Sequence, residues 1–420
     1  MLDIKYIREN AEIVKKAIAD KQLTGTVDID KLLELDRQYL SLLQKVESHR
    51  SLRNQLSADI GKLQGADREK LIKEASKVKE ELAGIEDELK ELKMQVDALL
   101  LWVPNIPASD VPFGTGEHEN VVIRTEGTLP VFNFTPKDHL DLGLDLGIID
   151  VERGTKIAGF RGYFIKNKGL ELQRAILNYG LDIIKSKGFD IFEVPWMVRP
   201  DYFVGTGYFP WGAEDHYMTQ DNLGLIGTAE VSLTSYYADE ILNEADLPMK
   251  LAGISPCYRR EIGSYGKDTK GIFRVHQFTK VEQVVLLPEG EELSREWHDK
   301  MLGYAEEVLQ RLGLPYQVLL MCTGDMGAGQ RKKYDVETWF PGQNAYRETH
   351  SDSYFLDFQS RRLNIKYKTK TGELKYVNTI NNTVAASTRL LIAVMENYQQ
   401  EDGHIKVPEV LKKYLDFDLI

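Results

Sequence analysis

The sequence predicts an α+β fold: a long antiparallel α-helical hairpin, followed by an antiparallel β-sheet flanked by helices. Three observations predict it. First, apolar residues recur in alternating steps of three and four. They run through Leu32, Leu35, Tyr39, Leu42, Val46, His49, Arg53, Leu56 and Ile60, then through Leu71, Ala75, Val78, Leu82, Ile85, Leu89, Leu92, Val96 and Leu99. Such spacing is a coiled-coil seam in two segments. Second, Gly61 and Gly65 stand between the segments and read as a turn. Third, the later strand candidates do not alternate regularly with helices, which favours an antiparallel sheet over a doubly wound parallel one.

The hairpin occupies residues 30–100. Each helix has about 30 residues, roughly 45 Å at the α-helical rise. His49 and Arg53 interrupt the seam near the tip and need polar partners or water. Lys45, Arg50, Arg53, Lys62, Arg68, Lys70, Lys73, Lys77 and Lys79 outnumber the acids between Lys45 and Lys79; the balance reverses from Glu80 to Asp97. A basic distal half suits phosphates. It also suits a solvated coiled coil with i,i+4 pairs.

Trp102 to Gly116 carries Pro104, Pro107, Pro112 and Gly114 and reads as a linker. It sets two domains, 1–103 and 104–420. Leu170 to Gly188 reads as an amphipathic helix with Ile176, Leu177, Leu181 and Ile184 inward, and Phe192-Glu-Val-Pro as a strand ending. Trp297 to Leu312 and Val384 to Tyr398 read as helices. Strands are expected at Leu223 to Ile226, Lys250 to Arg259, Gly271 to Leu287, Tyr334 to Trp339 and Ser353 to Gln359.

Composition bounds the function. The chain has 420 residues, 42% hydrophobic and 28% charged, with net charge −12. That is enough for two or three domains with a real core. The acidic total argues against indiscriminate nucleic-acid binding, so any such binding must be directed by a local patch. No apolar run is long enough for a membrane span, and Met1 to Asn10 lacks a signal pattern. Cys257 and Cys322 have no partner at metal-ligand spacing and read as reduced core thiols. A cytoplasmic location is the expectation.

The chemistry is concentrated in four stretches. From Arg259 to Glu282, an Arg-x-Glu precedes a Gly- and Lys-rich loop, then Arg274, Phe278 and Glu282 follow at spacings of four. On antiparallel strands Arg259 and Glu261 would share a face, as would Arg274, Phe278 and Glu282. Cations there suit phosphate, an aromatic plane suits a base, and carboxylates suit amino groups. Taken alone, that stretch reads more readily as a charged surface hairpin. Thr228-Ala229-Glu230 opens a helix-like run and suits an ammonium group, or is simply a capped helix start. Glu348 and Ser351, within Gly342 to Tyr354, suit a hard cation such as Mg²⁺ or belong to a polar turn. Arg389, on the apolar helix start after Asn381-Asn-Thr383, needs an anionic partner, because an unpaired buried guanidinium is costly. No P-loop and no dinucleotide-binding glycine motif occurs, so a nucleotide would be held by other means.

At these residues the chain resembles the seryl-tRNA synthetases of bacterial and eukaryotic type, a class II family. The resemblance runs from Met-Leu-Asp-Ile-Lys-Tyr-Ile-Arg-Glu-Asn at the start, through the hairpin, Pro136-Lys-Asp-His-Leu-Asp-Leu-Gly, Gly205-Thr-Gly, Thr228-Ala-Glu, Cys322-Thr-Gly-Asp-Met-Gly and Pro341-Gly-Gln-Asn, to Glu396-Asn-Tyr-Gln-Gln. The region ending at Pro195 is similar to the first class II motif, a dimer contact in the family. Arg259 to Glu282 is similar to the second motif and Asn381 to Arg389 to the third. The resemblance implies a class II antiparallel sheet and a homodimer. It implies activation of L-serine with ATP and transfer to the terminal adenosine of tRNA(Ser), with tRNA(Sec) a second candidate.

It also implies residue roles. Arg259 and Arg389 would be catalytic. Arg259, Arg260, Glu261, Arg274, Val275, Phe278, Glu348, Thr349, His350, Ser351 and Arg389 would meet ATP. Glu348 and Ser351 would hold Mg²⁺. Thr228, Ala229, Glu230, Arg259, Glu282, Asn381 and Thr383 would form the serine pocket. Arg50, Arg53, Lys62, Lys70, Lys73 and Lys77 would contact tRNA. Gly227, His350, Asp352 and Asn382 depart from the common family pattern, which bears on local loop shape and cation affinity. Two other readings stand beside this one. A carrier-protein-loading paralogue is opposed by the long hairpin, and an inactive tRNA-binding homologue by the intact Arg259, Glu261, Glu282 and Arg389.

Overall fold

The computed structural model describes residues 1–262 and 270–420. The Gly- and Lys-rich loop read between Glu261 and Arg274 lies largely outside the described residues. Two compact units result: residues 2–19 with 23–104, and residues 1, 20–22 and 105–420.

In the first unit, short helices α1 (Ile4–Glu9) and α2 (Ala11–Asp20) precede α3 (Ile29–Ile60) and α4 (Ala66–Leu100). Helices α3 and α4 are the expected hairpin. Asp28 caps α3 by accepting from Lys31 N at 3.1 Å, and Gly65 enters α4 at φ +68°. Every seam residue is buried or half-buried except Arg53. Periodicity did not reveal Asp36. It lies off the seam, 2% exposed, and its carboxylate accepts from Arg8 at 2.5 and 3.1 Å. A buried charge needs such a partner.

The second unit adds helices α5 (His139–Asp145), α6 (Val151–Ala158), α7 (Lys168–Ser186), α8 (Pro200–Thr206), α9 (Glu230–Thr234), α10 (Glu291–Arg311), α11 (Phe358–Leu363) and α12 (Ser387–Asn397). Its strands are β1 (Val121–Glu126), β2 (Ile149–Asp150), β3 (Phe164–Ile165), β4 (Asp190–Glu193), β5 (Met197–Val198), β6 (Gly224–Leu225), β7 (Ile241–Asn243), β8 (Met249–Tyr258), β9 (Gln277–Leu287), β10 (Tyr316–Leu320), β11 (Lys332–Phe340), β12 (Ala345–Leu356), β13 (Lys366–Lys368), β14 (Leu374–Tyr376) and β15 (Asn378–Ala386). Eight strands form one sheet in the order β1-β10-β11-β12-β15-β9-β8-β4. Every pairing in it is antiparallel except β4 with β8.

Side chains alternate across a strand, and this divides the sheet's two faces. On one face Gln283 and Asn382 donate to the Met301 carbonyl of α10, at 3.2 and 2.9 Å, and His298 of α10 meets the Asp352 carbonyl at 3.1 Å. Helices α7, α10 and α12 supply the main core with Leu172, Ile176, Ile184, Met301, Leu302 and Leu391. On the other face, Val284 and Leu286 pack with Phe203, Ile226, Leu233 and Leu363 around α8, α9 and α11. The functional cavity described below opens on that second face.

Several expected elements shift. Val384 to Ala386 are strand rather than helix: β15 is buried along its whole length, so it shows no alternation to distinguish it from a buried helix. The polar stretch Ala345 to Asp352 is strand rather than turn, and Phe358 and Gln359 begin a helix. Strand β8 ends at Tyr258 and β9 starts at Gln277, so Glu261 and Arg274 are not strand residues. Glu261 has φ +55°, which breaks the alternation assumed for it.

Leu391 is fully buried in α12. Leu391→Ala should cost about 2–5 kcal/mol by denaturant unfolding of the full chain; an unchanged midpoint would show that α12 does not support the core.

Candidate active site

Two bulges set the geometry. On β12, Val336 faces His350 but Glu337 faces Glu348, so Thr349 is an extra residue. Residues three apart in a regular strand point to opposite faces. The bulge brings Glu348 and Ser351 to the same cavity. On β15, Thr383 faces Glu282 while Ala385 faces Val281, leaving Val384 as the extra residue. The result is a cavity of about 420 Å³ lined by residues from β9, β11, β12, β15 and α12, with Tyr208, Glu230 and Arg259 beside them.

One region of the cavity is built from guanidinium groups. Arg259 lies 5.2 Å from the Phe278 ring centroid and donates from Nε to the Gly227 carbonyl at 3.2 Å. Its backbone is tied to His276: Arg259 N donates to His276 O at 3.0 Å, and the ring Nδ1 lies 2.9 Å from Arg259 O. Arg274 pairs with Glu261 at 2.7 Å, and Arg161 stands 4.0 Å from the same carboxylate. Arg389 reaches Glu348 twice, at 2.8 Å to the carbonyl and 3.2 Å to the carboxylate, and lies 4.7 Å from the Phe273 centroid. Burial works against ionisation of Glu348, but Arg389, Lys333 and Arg259 outweigh it and hold the carboxyl well below the usual range. Its side chain remains 43% exposed. An ionised carboxylate and the Ser351 hydroxyl on one face are hard oxygen donors that fit Mg²⁺.

The rest of the cavity is a small polar pocket. Glu282 is 2% exposed and ion-paired with Lys280 at 2.5 Å. Burial raises its carboxyl pKa, while Lys280, Arg259 and Thr383 act in the opposite direction. Asn381 and Thr383 line the pocket from β15. Glu230 accepts from Tyr208 Oη at 2.7 Å and from Gln359 Nε2 at 2.8 Å. Burial pushes its carboxyl up to about 7, against the hydrogen bonds from Tyr208 and Gln359.

Not every expected residue faces the cavity. His350 turns away: its ring meets the Val384 carbonyl at 3.2 Å and Thr349 Oγ1 at 2.9 Å, and burial lowers its pKa to about 4. Its side chain is therefore not placed for a nucleotide. Thr349 reaches the lining, but its hydroxyl is occupied by Thr338 at 2.8 Å. Arg260 donates to the Glu214 carbonyl at 2.9 Å, outside the lining. Thr228 and Ala229 are buried behind it, where Thr228 Oγ1 accepts from Glu230 N at 3.3 Å. Val275 lines the cavity. Sequence reasoning missed Tyr208, Lys280, Lys333 and Gln359. Tyr208 directly follows Gly205-Thr-Gly and Lys280 falls inside the Phe278 to Glu282 spacing, so both had a local signal. Gln359 had none.

In the hairpin unit, Arg50 pairs with Glu86 at 2.7 Å, Lys62 with Asp59 at 3.0 Å and Lys77 with Glu81 at 3.7 Å. Arg53, Lys70 and Lys73 are exposed. Exposed ion pairs are worth about 0–1 kcal/mol, so such cations exchange partners readily.

Gly271 shapes the chain's return toward Arg274. It has φ +70°, and a Cβ there would overlap the His139 ring, whose Nε2 accepts from Ile272 N at 3.2 Å. Gly271→Ala should cost about 2–4 kcal/mol by denaturant unfolding. A neutral substitution would mean that this corner has room to spare.

Comparison with known proteins places the chain. Residues 1–107 match the seryl-tRNA synthetase N-terminal domain, and residues 214–398 match the class II tRNA synthetase core domain (G, H, P, S and T). A serine--tRNA ligase of Thermodesulfovibrio yellowstonii is 44% identical over 428 residues, covering 100% of both chains. The crystal structure of seryl-tRNA synthetase from Pyrococcus horikoshii complexed with ATP is 40% identical, with TM-score 0.93 over 100% of this chain and 99% of that one. The cytoplasmic serine-tRNA ligase from Naegleria fowleri in complex with AMP is 32% identical, with TM-score 0.88 over 100% and 98%. A two-unit α+β architecture, a class II core and full-length relatives well above 30% identity lead to one conclusion: this chain belongs to the seryl-tRNA synthetase family.

Proposed function

We propose that this chain activates L-serine with ATP to seryl adenylate and transfers the seryl group to the terminal adenosine of tRNA(Ser). The observation that carries the reading is a single cavity holding Arg259, Arg274 and Arg389 together with the carboxylates Glu230 and Glu282. Cations suit a triphosphate and carboxylates suit an amino acid. Residues 1–103 serve as the tRNA-binding arm and residues 104–420 as the catalytic domain.

The serine carboxylate attacks the α-phosphorus of ATP and pyrophosphate leaves. Arg259, near Phe278 and beside the pocket, bridges the serine carboxylate and the α-phosphate. Phe278 stacks against the adenine, with Glu261 and the Val275 backbone at its edge. Arg274 and Arg389 hold the distal phosphates and neutralise charge as it develops, the main task in phosphoryl chemistry. Glu348 and Ser351 would hold Mg²⁺ against the phosphate oxygens, where the ion would offset their charge. Glu230 takes the serine ammonium. Glu282 and Thr383 take its hydroxyl, with Asn381 beside them. Alanine offers those buried groups no hydroxyl, and a site built to hydrogen-bond a substrate hydroxyl rejects the analogue lacking it by about 10⁴-fold.

The basic distal hairpin supports the tRNA reading through Arg50, Arg53, Lys62, Lys70, Lys73 and Lys77. Phosphate contacts of this kind fix position rather than base identity. Exposed Val121, Val122 and Ile123 on edge strand β1 support a homodimer, because such an edge invites cover. No described helix is long and apolar enough to cross a membrane. We place the enzyme in the cytoplasm on its chemistry.

Arg259→Ala should reduce serine-dependent exchange of pyrophosphate into ATP at least about 100-fold with little change in fold; normal exchange would remove the role. Deleting residues 45–79 should leave exchange intact and impair tRNA charging, and undiminished charging would exclude the arm from tRNA binding.

A further inference from the structure

Glu230 is 5% exposed, yet among the described residues its only hydrogen-bond donors are two neutral groups, Tyr208 and Gln359. Each takes a different carboxylate oxygen. Gln359 is 1% exposed and does not line the cavity. Its amide orientation is set from three sides. Nε2 donates to Glu230 Oε1 at 2.8 Å and to the Thr206 carbonyl at 3.0 Å, while Oε1 accepts from Thr379 Oγ1 at 2.5 Å. Flipping the amide would set its oxygen against two acceptors, the Glu230 carboxylate and the Thr206 carbonyl. Thr379 sits on β15, two residues before Asn381.

We propose that Gln359, fixed by Thr379 and Thr206, is a positioning residue that aims the Glu230 carboxylate at the substrate ammonium. This rests on the serine-activating reading of the cavity. A buried carboxylate with neutral donors only is electrostatically unfinished, and the arriving ammonium completes it. Other groups also act on Glu230. Glu282 opposes its ionisation and Lys280 favours it, both from β9. Arg259 and His216 line the same cavity, and His216 contacts the Tyr208 ring at 5.5 Å. Arg361 and Arg362 of α11 are engaged elsewhere, with Asp357 at 2.6 Å and the Val204 carbonyl at 2.9 Å.

A pH dependence follows. Burial holds the Glu230 carboxyl near 7, and the Gln359 hydrogen bond lowers it from where burial alone would put it. Below that pH the empty site holds a neutral acid, and serine must displace the proton. The serine KM should therefore rise about tenfold per pH unit below the transition.

The test is pyrophosphate exchange by the full-length protein, with KM for serine and for ATP measured across pH 5.5–8.5, a range chosen to span about 1.5 units on either side of the transition. Gln359→Met keeps length and removes the hydrogen bonds. It should raise the serine KM about 10–100-fold, leave the ATP KM within about threefold, and move the acidic limb upward by about one pH unit. Thr379→Val, which removes the hydroxyl that holds the amide oxygen, should give a smaller change in the same direction and decides the matter if Gln359→Met does not fold. Wild-type protein without serine-dependent exchange would overturn the reading of the cavity itself. Active wild type with an unmoved limb in the folded variants, or with serine and ATP KM rising together, would overturn the positioning role alone.

Discussion

Cross-strand register on the β12-β15-β9 part of the sheet is the constraint on which the cavity depends. Thr383 stands opposite Glu282, and Ser353 opposite Asn381. The extra residue at Thr349 lets Glu348 and Ser351 face the same way despite a spacing of three. A slip of one residue would send all of them to the other face, against α10. The polar row Gln283, Asn382 and Asp352, backed by Met301 and His298 of α10, occupies that other face, so each surface has its own chemistry.

Electrostatics then divides the cavity. Glu348 and Glu261 each have an arginine partner, at 3.2 and 2.7 Å, and Glu348 stays ionised as a result. Glu230 has neutral donors and a raised pKa. Glu282 lies between these cases, buried but paired with Lys280. On the proposed reading, the arginines offset phosphate charge and the pocket recognises one small hydroxylated amino acid. Catalysis of this kind relies on prearranged charge more than on a covalent partner.

The hairpin was legible because a seam of period 3.5 survives any tertiary context. Its ends, turn and buried face all follow from local spacing. The chemistry-bearing residues were joined through the family resemblance, since Arg389 lies over a hundred positions beyond Arg259 and Glu282 and no local rule connects it to them. What remained hidden was hidden for separate physical reasons. Strand β15 is buried on both faces and has no alternation. The bulge at Thr349 inverts the facing of everything after it, and His350, which the resemblance implied would meet ATP, turns away from the cavity as a result. Glu261 escapes the strand through a left-handed backbone. Gln359 acts from behind the cavity, and nothing in its neighbourhood of sequence marks it.

The central claim is that triphosphate and serine are gripped in one cavity. Amino-acid-dependent exchange of pyrophosphate into ATP, run with each of the standard amino acids, tests it most directly. The account predicts strong exchange with serine and at least about 10⁴-fold weaker kcat/KM with alanine. Exchange supported equally by alanine, or absent with serine, would contradict it.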